Sequence, residues 1–169
     1  NSRKKHSGSI PLIGGISMFL GIVISILVLS FDLNQYDFFF LASLIIVIIG
    51  VLDDHLNISV TYRLVFQILA AIIMVTVGDS SLESLGNLLG SGDIFLNKWA
   101  QFIAVIAIVA GMNAINMSDG IHGLAGGTSL ITFLAILFIS VGNLSYQGFW
   151  ITILFCSVLP VFLIHNLCL

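Results

Sequence analysis

Two groups of polar residues stand out in an otherwise apolar chain, and both are of types that handle charge. Asp53 and Asp54 are adjacent and are followed by His55 and Asn57. Adjacent carboxylates repel one another, and at the end of a helix that points them toward its C-terminus they also meet the negative end of the macrodipole, at about 0.3–1 kcal/mol each. A pair placed so unfavourably suits a divalent cation or a proton transfer, since Mg²⁺ is typically held by one or two carboxylates together with substrate phosphates. The other reading is a solvated loop that happens to hold two acids. The second group is Asn113, Asn116, Asp119 and His122, with Gly120, Gly123, Gly126 and Gly127 close by. Residues three apart share a helix face, so the first four form a polar stripe. Amides can also act as glue between membrane helices, but a four-member stripe ending in Asp exceeds what glue needs. The glycines would let the backbone turn sharply, or let a ligand or a helix come close.

The elements that must carry these groups follow from composition. The chain has 169 residues, of which 59% are hydrophobic and 8% charged, and its mean hydropathy is +1.17. Soluble domains carry roughly 25% charged residues. A disordered segment, a basic nucleic-acid binder and a disulfide-rich secreted module are therefore excluded. Cys156 and Cys168 imply no disulfide framework. The apolar runs are too long for barrel strands, which leaves an all-α polytopic membrane protein.

A spanning helix needs about 20 mostly apolar residues. The apolar runs predict about six spans with short loops: Leu12–Phe31, Phe38–Leu52, about Val60–Gly78, Trp99–Met117, about Leu124–Val141 and about Phe149–His165. Arg63 at the start of the third can snorkel. Ser59 is placed to cap that helix, and Pro160 should kink or end the last one. Gln67 and Gln147 read as packing or interfacial residues and His165 as a partnered polar residue. Trp99, Tyr146 and Trp150 suit an aromatic belt. The polar Asp79–Lys98 stretch carries no evident chemistry. Six spans put residues 1–9, the 53–59 loop and the Asp119 loop on one side, together with Arg3, Lys4, Lys5 and Arg63, four of the five Lys and Arg residues. The positive-inside rule makes that side cytoplasmic. Asp53, Asp54 and Asp119 are thus expected to meet at the inner face of the membrane.

Three segments, RKKHSGSIPLIGGIS, GVLDDHLNISVTYRLVFQ and NAINMSDGIHGLAGG, together resemble the polyprenyl-phosphate N-acetylhexosamine-1-phosphate transferase family, in family order and across the whole chain. The likeness is greatest to the bacterial branch that uses undecaprenyl phosphate and a GlcNAc donor. The resemblance implies a single transmembrane domain over residues 1–169, incomplete at both ends, in the bacterial inner membrane with its active face cytoplasmic. It implies transfer of a sugar-1-phosphate from a UDP-N-acetylhexosamine to a polyprenyl phosphate lipid, starting cell-envelope polysaccharide synthesis. By motif, Asp53 and Asp54 would orient or deprotonate the acceptor phosphate or hold the metal, with Asp119 as the third catalytic acid. Lys4, Lys5, His6, Asn113, Asn116 and His122 would bind substrate. Asp54, Asn116 and Asp119 would hold Mg²⁺, with Mn²⁺ as an alternative ion. No nucleic acid is implied, and a homodimer is compatible with the likeness.

The family usually has Asp where this chain has Asn57 and His122. Its members also continue into a Gly-Asp loop and a His-rich loop, so the 169 residues alone are expected to have little turnover. The alternatives are a phospho-MurNAc-pentapeptide or teichoic-acid linkage transferase of the same family, a membrane transporter, or a non-catalytic remnant. A transporter would place its ionisable groups near the bilayer midplane, whereas here they cluster at one face.

Overall fold

A computed structural model of the chain describes residues 14–30, 36–118, 123–139 and 146–168, the side chains of 146–147 and 166–168 excepted. The described residues form helices α1 Gly14–Leu29, α2 Asp37–Leu56, α3 Val60–Ile72, α4 Ala100–Ser118, α5 Leu124–Ile139 and α6 Tyr146–Cys168. Four helical segments are long and apolar enough to cross a membrane: Asp37–Leu56, Val60–Val77, Asn97–Ser118 and Gly148–His165. The segments expected as the first and fifth spans are described as shorter apolar helices, α1 and α5, of 16 residues each.

Several expected boundaries move. The second helix does not stop at Leu52 but continues to Leu56, so the acid pair lies in its last turn and not in a loop. Asn57, with φ 49° and ψ 55°, ends it in the left-handed conformation and donates its N–H to the Asp53 carbonyl at 2.8 Å. Asn is one of the few residues that tolerates this geometry. The third helix gives way to a π-helical turn over Ile73–Val77. Ser59 takes the cap position of α3 in extended geometry, and its carbonyl, not its hydroxyl, accepts the N–H groups of Tyr62 and Arg63. Helix α6 runs on through Pro160. The ring removes one backbone bond, which a packed membrane helix tolerates where neighbours compensate. His165 is exposed and makes no hydrogen bond among the described residues, in place of the partner expected for it. The 79–98 stretch folds back on itself, with Leu85 N–H to Ile94 O at 3.0 Å and Ile94 N–H to Gly86 O at 3.2 Å.

Each helix packs on its neighbour in the chain and α6 packs on α1, so the six close into a ring. Phe155 of α6 stacks on Phe133 of α5 at 4.6 Å and meets Phe39 of α2 edge-on at 6.2 Å. The contacts fix the alternation of direction. Gly14 at the start of α1 faces Phe162 near the end of α6, and Gly126 at the start of α5 faces Leu163. Phe38 at the start of α2 meets Gly78, just after the π-turn. The starts of α1, α3 and α5 therefore share one end of the bundle with the ends of α2, α4 and α6.

The distribution of side chains inverts that of a soluble domain. Buried positions of α3, α4 and α5 are small, with Ala70, Ala71, Ala100, Ala104 and Ala125 at the contacts. Large apolar side chains face outward, among them Leu27, Ile131, Phe138 and Val161, with Phe138 84% exposed. Small residues at helix contacts and apolar residues outside are what a lipid solvent selects, because tails are as apolar as leucine and only close packing holds helices together. The chain is a multi-pass, all-α membrane protein.

Candidate functional site

The candidate site lies where α2 ends and α3 begins. Successive residues of a helix point about 100° apart, so the two acids of α2 diverge. Asp53 turns toward α3, where the Arg63 Nη1 donates to its Oδ2 at 2.8 Å; the side chains are 23% and 32% exposed respectively. Asp54 is exposed and makes no hydrogen bond or ion pair among the described residues. The Arg63 guanidinium also offsets the macrodipole penalty at the end of α2, since a cation is favourable there. One carboxylate is thus satisfied within the protein and the other is left open.

The amide stripe joins the same end through α3. Asn113 Nδ2 donates to Gln67 Oε1 at 2.8 Å and to the Val109 carbonyl at 2.8 Å. Asn113 and Gln67 are half-buried, while Asn116 is exposed. The structure therefore brings Asp53 and Asn113 to the two sides of α3, with Asp54 and Asn116 open at the same end. Asp119, His122, Lys4, Lys5 and His6 lie outside the described residues. Helix α4 is described to Ser118, which is where the stripe is cut.

Arg63 and Gln67 were not among the expected site residues. Their signal in the sequence was the four-residue spacing, which puts both on one face of α3, but which helices that face meets is a tertiary matter. The glycines divide by role. Gly123 has φ 76° and leads into α5. Gly126 lies against α6, where an added Cβ would come within 2.8 Å of Leu163 Cδ2. This glycine serves helix approach.

An open groove of about 300 Å³ runs between α1 and α2, lined wholly by apolar side chains such as Phe19, Val47, Ile48 and Leu52. It offers nothing to a phosphate, so the charged chemistry belongs at the helix ends. Among the described residues no three His, Cys, Asp or Glu side chains form a metal-binding group. Asp54 is the carboxylate there with open coordination, which suits an ion held mainly by substrate phosphates and water.

The model of glycosyl transferase family 4 matches residues 37–168. The chain is 34% identical over 166 residues to the undecaprenyl-phosphate alpha-N-acetylglucosaminyl 1-phosphate transferase of Escherichia coli (strain K12), covering 98% of this chain and 45% of the relative. It is 34% identical over 167 residues to the protein of that name from Yersinia pestis, at 98% and 46% coverage, and 38% identical over 172 residues to that of Haemophilus influenzae, at 98% and 47%. The chain thus spans about half the length of the curated relatives it matches. No solved structure matches it. With the match running from the first residue of α2 to the last of α6, the chain belongs to glycosyl transferase family 4.

Proposed function

We propose that the protein, at the full length of its relatives, transfers N-acetylglucosamine 1-phosphate from UDP-N-acetylglucosamine to undecaprenyl phosphate at the cytoplasmic face of the bacterial inner membrane, starting a cell-envelope polysaccharide. The names of the relatives support the lipid acceptor and the sugar. The observation that carries the reading is the gathering of the acid pair, Arg63 and Asn113 at one end of the bundle. That is where a lipid phosphate at the membrane surface and a nucleotide sugar from water can meet.

In the reaction an oxygen of the acceptor phosphate attacks the sugar-bearing phosphorus of the donor. The bond from that phosphorus to the bridging oxygen breaks, and UMP leaves with the electron pair. Both reactants are anions, so positioning and charge neutralisation provide most of the catalysis. Asp54 would hold Mg²⁺ with Asn116 and Asp119, and the ion would neutralise the pyrophosphate. Asp53 and Asp54 would orient the acceptor phosphate or take its proton. Asn113 and His122 would line the nucleotide site, and Lys4, Lys5 and His6 would draw phosphates to the surface. The presence of Arg63 at this end supports a cytoplasmic face.

The test uses the full-length protein with radiolabelled UDP-N-acetylglucosamine and undecaprenyl phosphate. Lipid-linked product that is lost in Asp54→Asn and on chelation of divalent metal supports the reading. Unchanged transfer in Asp54→Asn overturns the assignment of the site, and no product from the wild type overturns the reaction. The 169 residues assayed alone are expected to give little or no turnover.

A further inference from the structure

We propose that Arg63 and Gln67, which lie outside both polar groups, are positioning residues. They form a two-point frame on α3 that holds Asp53 on one side and Asn113 on the other, so that Asp53 meets the acceptor phosphate in a fixed orientation while Asp54 is left open for the metal. This rests on the transferase reading and adds a division of labour within its site.

Three observations carry it. First, Arg63 and Gln67 are one helical turn apart on one face, separated by about 6 Å along the axis. One reaches α2 and the other reaches α4, each through a 2.8 Å bond. At this end of the bundle both described side-chain bonds between helices therefore have α3 as one partner, Arg63 donating and Gln67 accepting. Second, the charges are misplaced for helix stability. Asp53 is at the negative end of α2 and Arg63 in the first turn of α3, at its positive end. Each is unfavourable alone, and they become favourable through one another. Third, α3 is well fixed as a frame. Ala70 and Ala71, next in the helix, are 2% and 0% exposed, so the backbone there is in close contact with its neighbours. A tilt or slide of α3 would move Asp53 and Asn113 together.

The consequence is that the two acids are not equivalent. Asp53 has one oxygen committed to Arg63 and is held in orientation by it. Asp54 has both oxygens open among the described residues. Groups that orient a ligand from behind commonly contribute 10–100-fold to metal affinity or activity.

The experiment measures kcat and KM for UDP-N-acetylglucosamine on full-length wild type, Arg63→Gln, Arg63→Lys and Gln67→Leu, each normalised to folded protein by thermal unfolding in detergent. Gln67→Leu removes an acceptor without burying a new polar group, and Asn113 keeps its bond to the Val109 carbonyl, so this variant folds even if Arg63→Gln does not. The expected result is a fall in kcat of about 10–100-fold for Arg63→Gln and Gln67→Leu, with KM for the nucleotide sugar within a few-fold of wild type in Arg63→Gln and partial recovery in Arg63→Lys. Folded Arg63→Gln and Gln67→Leu proteins with wild-type kcat overturn the proposal, as does a lowered melting temperature with unchanged kcat. A wild-type protein that makes no product overturns the transferase reading itself, an outcome distinct from active wild type with insensitive variants.

Discussion

Gly126 and Gly127 are neighbours in one glycine-rich motif, yet their surroundings demand opposite responses to the same substitution. A Cβ on Gly126 would sit 2.8 Å from Leu163 Cδ2, 3.2 Å from its Cγ and 3.3 Å from Phe162 Cε1. Around Gly127 nothing lies within 4 Å. Replacing a helical glycine by alanine gains about 0.5–1 kcal/mol in backbone entropy, while overpacking a close contact costs about 1–3 kcal/mol. Gly127→Ala should therefore stabilise by about 0.5–1 kcal/mol. Gly126→Ala should destabilise by about 0–2.5 kcal/mol, the overpacking cost less the helical gain. The loss falls at the lower end if the Leu163 side chain swings aside. Reversible unfolding of the full-length protein by SDS in mixed micelles measures both. Adding Leu163→Ala to Gly126→Ala should return part of the loss, as coupling between contacting residues does at about 0.5–3 kcal/mol. Gly126→Ala as stable as Gly127→Ala, or no coupling to Leu163, would refute the assignment of this glycine to helix approach.

Gly78→Ala should cost more than Gly126→Ala in the same assay, because its Cβ would lie 2.7 Å from the Met74 carbonyl oxygen, which is backbone and has no rotamer to escape to; an equal or smaller cost contradicts this. At the left-handed cap, Asn57→Gly should be nearly neutral, whereas Asn57→Val should lose about 1–2 kcal/mol, and a neutral valine would show that the cap geometry is wrong. Asn57→Asp should leave both stability and transfer near wild type, since aspartate also accepts this conformation, and a rise in turnover would mean that the position is an acid of the site and not a cap.

How much of this was legible in the chain differs element by element. The long apolar runs predicted six spans, and the described residues form six α-helices, four of them within segments long and apolar enough to cross a membrane, because hydrophobic length is set by the bilayer and is written locally. The ends were harder to read. Helix α2 outran its apolar stretch by four residues, since what stops it is the left-handed conformation of Asn57 and not the arrival of charge. Pro160 did not end α6, because the contacts of a packed helix outweigh the loss of one backbone bond. Of the candidate site, Asp53, Asp54 and Asn113 were visible as charged and amide side chains in an otherwise apolar chain, but that Asp53 and Asn113 are tied to α3 was not. Asp119, His122, Lys4, Lys5 and His6 lie outside the described residues.

The sequence by itself determined that this is a bundle of membrane helices with two polar motifs, and alternation along the chain predicted that both lie at one end of it. Only the tertiary structure decided that Asp53 is held and Asp54 is open, and that Gln67 reaches Asn113 across 46 positions of sequence. It also decided that Gly126 makes room for Leu163. Periodicity reports which residues share a face of one helix, whereas what that face meets depends on how helices distant in the chain pack together.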